Sequence, residues 1–132
     1  MKEIRIDDIQ ISNDKPFVLI AGLNVLEEEK VILEVISKCK QDAEKFKIPY
    51  IFKASYDKAN RSSYSSYRGP GVKKGLAILS ELKKDFNVPV ISDIHTPEEA
   101  KLAAEVLDII QIPAFLSRQT DLIEAACRTS RP

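Results

Sequence analysis

The chain of 132 residues has no tryptophan, one histidine, one methionine and two cysteines. A single histidine and two distant cysteines fall short of the closely spaced ligand set a structural zinc site takes, so no metal is expected from these residues. Two cysteines also make no disulfide framework. Cys39, on the apolar side of a helical pattern, and Cys127, near the end, read as reduced core residues. Net charge is missing too: Lys+Arg and Asp+Glu are both 20, without the basic excess of a dedicated nucleic-acid or membrane-surface binder. No apolar run approaches the ~20 residues of a membrane span. The opening MKEIRIDDIQ is charged and has no apolar secretory core. These absences lead to an expectation of one modest cytoplasmic domain that binds neither nucleic acid nor membrane.

What is present is a repeated change of hydrophobic period. EIRIDDIQI alternates on both sides of Asp7-Asp8 and reads as a short hairpin, residues 3–6 and 9–12. FVLIAG (17–22) is a continuous apolar run, expected as a strand buried on both faces. From Glu27 the period becomes helical: Ile32, Val35, Ile36, Cys39, Ala43 and Phe46 share a face, giving a helix over 27–46. IPYIFKAS (48–55) is a second strand, 56–71 a loop, and Val72, Leu76, Leu79, Leu82 and Phe86 the stripe of a second helix. VPVISDI (88–94) is a third strand. Thr96-Pro97-Glu98-Glu99 is a helix start, with an N-cap, proline at the first position and acids in the first turn. DIIQIPAF (108–115) is a fourth strand, and SRQTDLIEAAC opens a fourth helix.

Strand–helix repeated four times implies an α/β fold with parallel pairing and right-handed crossovers. An open doubly wound sheet and part of a (β/α) barrel both fit. The barrel is favoured by polar groups at each strand's end: Asn24, Lys53 with Ser55, Asp93 with His95, and Gln111. Functional groups at successive strand C-termini are how such a barrel builds its site.

Residues 53–74 concentrate six cations (Lys53, Lys58, Arg61, Arg68, Lys73 and Lys74) against Asp57 alone. A local positive field in a neutral chain suits a small anionic ligand better than a polymer. A lysine ending an apolar strand either snorkels to solvent or meets a carboxylate or phosphate. Lys58, Asn60, Arg61, Ser62 and Ser63 follow, with the forked and hydroxyl donors that phosphate oxygens accept from. The alternative for this loop is ordinary solvation. Asp93 and His95, two apart, share a face, and Asp93 suits a sugar hydroxyl. Gln111 and Arg118 complete the rim, Arg118 reading equally as a surface or subunit-contact residue. Tyr64 and Tyr67 read as packing residues.

KANRSS (58–63), preceded by FKAS and followed by SYRGPG (66–71), resembles the diagnostic loop of the 3-deoxy-D-manno-octulosonate 8-phosphate synthases. PFVLIAGLNVLE (16–27), SDIHTPEEA (92–100) and DIIQIPAFLSRQTDL (108–122) extend the resemblance over residues 8–129. It implies a TIM-barrel transferase, usually a homotetramer, that condenses phosphoenolpyruvate with D-arabinose 5-phosphate and water. The products are 3-deoxy-D-manno-octulosonate 8-phosphate, for the lipopolysaccharide inner core, and phosphate. By the same resemblance Lys53 and Lys58 hold phosphoenolpyruvate with Gln111 nearby. Asn60, Arg61 and Ser62 hold the sugar phosphate, Asp93 a sugar hydroxyl, and Arg118 reaches a neighbouring subunit's sugar phosphate. His95 lines the cavity. Asn24, in AGLN, matches the metal-independent branch, whose metal-dependent counterparts carry cysteine there; a neutral amide is a poor ligand for a transition metal. No cofactor is therefore expected.

The resemblance stops inside the fourth helix at RTSRP, where the family continues for four more strand–helix units. The expectation is a partial domain: a hairpin over 1–14, then the first four β/α units over 15–132, truncated and inactive alone. The alternatives are a non-catalytic remnant and a 3-deoxy-arabino-heptulosonate 7-phosphate synthase-like enzyme using erythrose 4-phosphate, whose loop reads more like KPRTS.

Overall fold

In a computed structural model, which describes residues 3–132, two strands fold back before the main sheet begins. β1 (Ile4–Ile6) and β2 (Ile9–Ile11) pair antiparallel with Ile6 opposite Ile9. The connection is Asp7-Asp8, and Asp7 takes φ 49°, a left-handed conformation that aspartate tolerates.

The chain then alternates β3 (Leu19–Leu23), α1 (Glu29–Lys45), β4 (Tyr50–Ala54), α2 (Val72–Phe86), β5 (Val90–Asp93), α3 (Pro97–Ala104) and β6 (Ile109–Gln111). A 3₁₀ turn (Ala114–Leu116) and α4 (Thr120–Arg128) follow. The four strands of the main sheet are parallel and lie in chain order, β3-β4-β5-β6. Each strand's neighbour is the next in sequence, without the reversal that defines a doubly wound sheet. This is the topology of a partial (β/α) barrel, and it removes the open-sheet alternative.

The two faces of the sheet follow from the two-residue period of its strands. Tyr50, Phe52, Ala54, Val90 and Ile94 turn to the helices and pack with Ile32, Ile36, Leu79, Leu82, Leu107 and Leu122. Ile51 and Ile91 turn the other way, where Ile6 of the hairpin seals them with Ile9, Ile11, Val18 and Ile109. The hairpin is thus an apolar plug on the inner face, at the end of the strands away from Lys53 and Asp93. Asp108 fixes that lower end: one carboxylate oxygen accepts the Val90 amide at 2.9 Å and the other pairs with Lys83 at 2.5 Å.

Four expectations need correction. The 17–22 run is not a strand buried on both faces. Phe17 is 68% and Ile20 47% exposed, because β3 is the sheet's outer strand, paired among the described residues with β4 alone. The fourth strand is shorter than 108–115, since Pro113 has no amide to continue a ladder and the chain turns into 3₁₀ geometry. Cys39 is half-buried against the core, but Cys127 is exposed. Tyr64 and Tyr67 are exposed rather than packed.

Candidate functional site

The site begins with register. Lys53 lies opposite Ile91 and Gly22, and Asp93 opposite Gln111. The inner-face residues therefore form rows, apolar below and polar above: Ile51 and Ile91 give way, two residues along each strand, to Lys53 and Asp93. Lys53 Nζ donates to Asp93 Oδ1 and to Ser55 Oγ, both at 3.0 Å. Ser55 donates to the same carboxylate oxygen at 2.5 Å. The second oxygen, Oδ2, faces His95 Nε2 at 3.1 Å. Asp93 is buried, and its partners arrive from the end of β4 and the turn after β5.

The electrostatics follow from that enclosure. Burial would raise the Asp93 carboxyl, but the hydrogen bonds from His95 and Ser55 and the charge of Lys53 hold it well below the usual carboxylate range. Burial lowers the Lys53 ammonium; Asp93 pulls it back up, and the nearby charge of Lys58 adds to the lowering. His95 is pushed up to about 9 by Asp93 first and Glu99 second, against burial. Lys53 thus meets a carboxylate rather than snorkelling to solvent.

A further layer supports these groups. Glu99 lies in the first turn of α3, but its side chain turns inward. Oε2 accepts the His95 amide at 2.9 Å and the Tyr56 hydroxyl at 2.7 Å, and lies 3.6 Å from His95 Nδ1. Tyr56 is completely buried and meets the His95 ring edge-on, with centroids 6.2 Å apart. Sequence reasoning missed both residues. Glu99 carried a signal, because it stands four residues after His95 and at the third helical position behind Thr96, where glutamates reach back to backbone amides. Thr96 itself makes no side-chain cap bond.

The loop over 57–71 is tied down at its base. Lys58 donates its amide to the Arg68 carbonyl at 2.7 Å, and Gly71 donates to the Tyr56 carbonyl at 3.0 Å. Arg68 grips Asp57 through two bonds, 2.5 and 3.0 Å. Gly69, at φ 113°, passes so close to the Tyr56 carbonyl that a side chain could not be accommodated. Above this base Arg61 turns onto the loop itself. Arg61 donates to the carbonyls of Ala59 and Tyr64 and stands 5.5 Å over the Tyr64 ring.

Of the residues expected at the site, the fold brings Lys53, Asp93 and His95 into contact and sets Gln111 beside Asp93 on an exposed strand end. Asn24 follows β3, exposed. Lys58 is half-buried near Lys53, Asn60 and Ser62 are exposed in the loop, and Arg61 satisfies itself there. Arg118 is exposed in the turn between the 3₁₀ segment and α4, two residues ahead of the helix it was expected to start.

The 2-dehydro-3-deoxyphosphooctonate aldolase of Pseudomonas putida is 57% identical over 128 residues, 97% of this chain and 46% of that relative. The protein of the same name from Hahella chejuensis is 56% identical over 131 residues, 99% of this chain and 47% of its own length. That from Bdellovibrio bacteriovorus is 57% identical over 128 residues, 97% and 44%. The chain spans about half the length of the curated relatives it matches. Residues 2–132 match the DAHP synthetase I family, and with a match across nearly every residue the chain belongs to that family.

Proposed function

We propose that this chain carries the strand-end cations and carboxylate of a synthase that joins phosphoenolpyruvate to D-arabinose 5-phosphate. The observation that carries the reading is the Lys53–Asp93 pair, 3.0 Å apart at the carboxyl ends of adjacent parallel strands, with the Lys58–Arg61 loop rising beside it. Two phosphorylated substrates repel each other. Cations fixed around one cavity hold them within reacting distance, a proximity effect of up to about 7–11 kcal/mol in well-oriented systems. In this reading Lys53 and Lys58 bind phosphoenolpyruvate with Gln111 alongside. Asn60, Arg61 and Ser62 take the sugar phosphate, and Asp93 accepts from a sugar hydroxyl. The methylene carbon of phosphoenolpyruvate bonds to the aldehyde carbon, water adds at the carbon that becomes cationic, and phosphate leaves with C–O cleavage. Preorganised positive charge stabilises that redistribution.

The reading further places the protein in the cytoplasm, as a homo-oligomer in which Arg118 reaches a neighbour's sugar phosphate. No helix among the described residues is long and apolar enough to cross a membrane. Asn24 puts the chain in the metal-independent branch, because an amide lacks the charge and softness of a thiolate. Chelator should accordingly leave ligand binding unchanged; loss on chelation and recovery with a divalent metal would overturn that assignment.

The experiment is calorimetric titration of the chain with phosphoenolpyruvate, arabinose 5-phosphate and erythrose 4-phosphate. Saturable phosphoenolpyruvate binding that Lys53→Met abolishes, with arabinose 5-phosphate preferred to erythrose 4-phosphate, is the expected result. The opposite sugar preference would favour a heptulosonate phosphate synthase, the second reading that the family match keeps in play. Absence of phosphoenolpyruvate binding overturns both.

A further inference from the structure

Neither Tyr56 nor Glu99 has a role in the reading above, yet both are built into the fold at evident cost. Tyr56 is fully buried, and Gly75 of α2 is itself packed so closely against it that a Cβ would overlap the tyrosine side chain. The hydroxyl of this buried ring goes to Glu99 Oε2 at 2.7 Å. That same oxygen takes the His95 amide at 2.9 Å. Two donors thus fix one carboxylate oxygen 3.6 Å from His95 Nδ1, a buried nitrogen with no hydrogen-bond partner among the described residues. The other ring nitrogen, Nε2, is 3.1 Å from Asp93 Oδ2. Both nitrogens of one imidazole therefore face carboxylate oxygens. A neutral ring would point its lone pair at one of them; only the imidazolium offers a proton to each.

We infer that Tyr56 and Glu99 are positioning residues that hold His95 as an imidazolium against Asp93, so that Asp93 is shared between two cations and Lys53 keeps charge for an anionic ligand. The inference rests on the proposed binding role of Lys53. Asp93 has two oxygens, and the geometry divides them: Oδ1 serves Lys53 and Ser55, Oδ2 serves His95. Without His95⁺ the carboxylate would neutralise Lys53 alone. With it, the four groups Lys53, Asp93, His95 and Glu99 balance, and Lys58, close enough to act on Lys53, adds the excess positive charge that a phosphate meets. The groups facing His95 are Asp93 from β5, Glu99 from α3 and Tyr56 from the end of β4, with Lys53 behind Asp93.

His95 is the only histidine in the chain, so its titration can be followed by NMR without assignment. The wild-type midpoint is expected near 9, from the hydrogen bonds and charges of Asp93 and Glu99. Glu99→Gln keeps an acceptor but removes the charge, and should lower the midpoint by at least about one pH unit. Tyr56→Phe should lower it less, and reads the same relay if Glu99→Gln fails to fold by circular dichroism. Phosphoenolpyruvate affinity, measured at a pH between the wild-type and variant midpoints, should fall with the fraction of imidazolium, about threefold for a one-unit shift. A wild-type midpoint near the ordinary ~6.5, or one that neither variant moves, overturns the inference. So does an unchanged affinity where the midpoint has moved. If phosphoenolpyruvate binds to no form of the chain while the histidine titrates as expected, the proposed function fails and the His95 clamp stands.

Discussion

Two adjoining stretches of this chain carry the cations that would meet phosphate, and they hold them differently. At the strand ends, Lys53 is fixed by Asp93 and Ser55, Asp93 by His95, and His95 by Glu99 and Tyr56, so each group is oriented by another already held in place. In the loop that follows, Arg61 bonds only to carbonyls within three residues of itself, and Tyr64 beneath it is 95% exposed. A buried charge cannot wait unpaired, because its desolvation must be compensated in the free protein. A half-exposed loop arginine can, because water still reaches it until a ligand arrives. The strand-end cluster is therefore preorganised, and the loop is a set of donors that must change partners to bind.

The contrast breaks most readily at Lys53. Lys53→Met removes one of the two cations on a buried carboxylate, leaving Asp93 to Ser55 and His95. Stability should fall by on the order of 3–4 kcal/mol, measured by urea unfolding, with the far-UV spectrum of the folded state unchanged. A loss below about 1 kcal/mol would mean that the strand ends are solvated like the loop.

The pH dependence of stability tests the same cluster without mutation. His95 binds its proton more tightly folded than unfolded, with a folded value of about 9 against ~6.5 in the unfolded chain. Its contribution is therefore fully present below ~6.5 and lost as pH rises through about 9, an expected loss of about 3 kcal/mol. Asp93 behaves oppositely. Its folded value is depressed, so its contribution is present above the unfolded ~3.9 and lost as the solution is acidified below that. His95→Gln should flatten the alkaline limb and shrink the acid one in part, because His95 is the first of the groups that depress Asp93, and Asp93→Asn should flatten the acid limb and shrink the alkaline one.

Gly75 joins the two regions, because α2 follows the loop and packs on Tyr56 through this residue. Gly75→Ala should cost about 2 kcal/mol by overpacking, despite the better helix propensity of alanine. A neutral or stabilising result would show that Tyr56 has room to move and that the clamp on Glu99 is loose.

Sequence periodicity made some of this legible and not the rest, for a physical reason. Helix α2 runs over Val72–Phe86, as its apolar stripe requires, and Asp93 and His95 share a side, as strand alternation requires. Each is a property of one element. The Lys53–Asp93 contact depends on how far β4 is staggered against β5, which no single strand encodes. The exposure of Ile20 likewise depends on what lies beside β3 rather than on its own apolar run. Glu99 illustrates the limit best. As a first-turn acid it has a sufficient local explanation in the helix dipole, and only the fold reveals that its carboxylate turns inward to His95 and Tyr56.

The smallest expected effect on stability is also the most discriminating. Arg61→Ala removes hydrogen bonds to two exposed carbonyls and a cation over an exposed ring, all of which water replaces. The stability change should stay within about 0.5 kcal/mol. If the loop is a donor set in waiting, the same substitution should weaken arabinose 5-phosphate binding at least about tenfold, because a charge-assisted fork to a phosphate is worth more than the loop bonds it gives up. Phosphoenolpyruvate binding, carried by Lys53, should change little. Calorimetry with each ligand separates the two, and equal losses for both would mean that loop and strand ends act as one unit, so that the division between a fixed and an adaptable half does not hold.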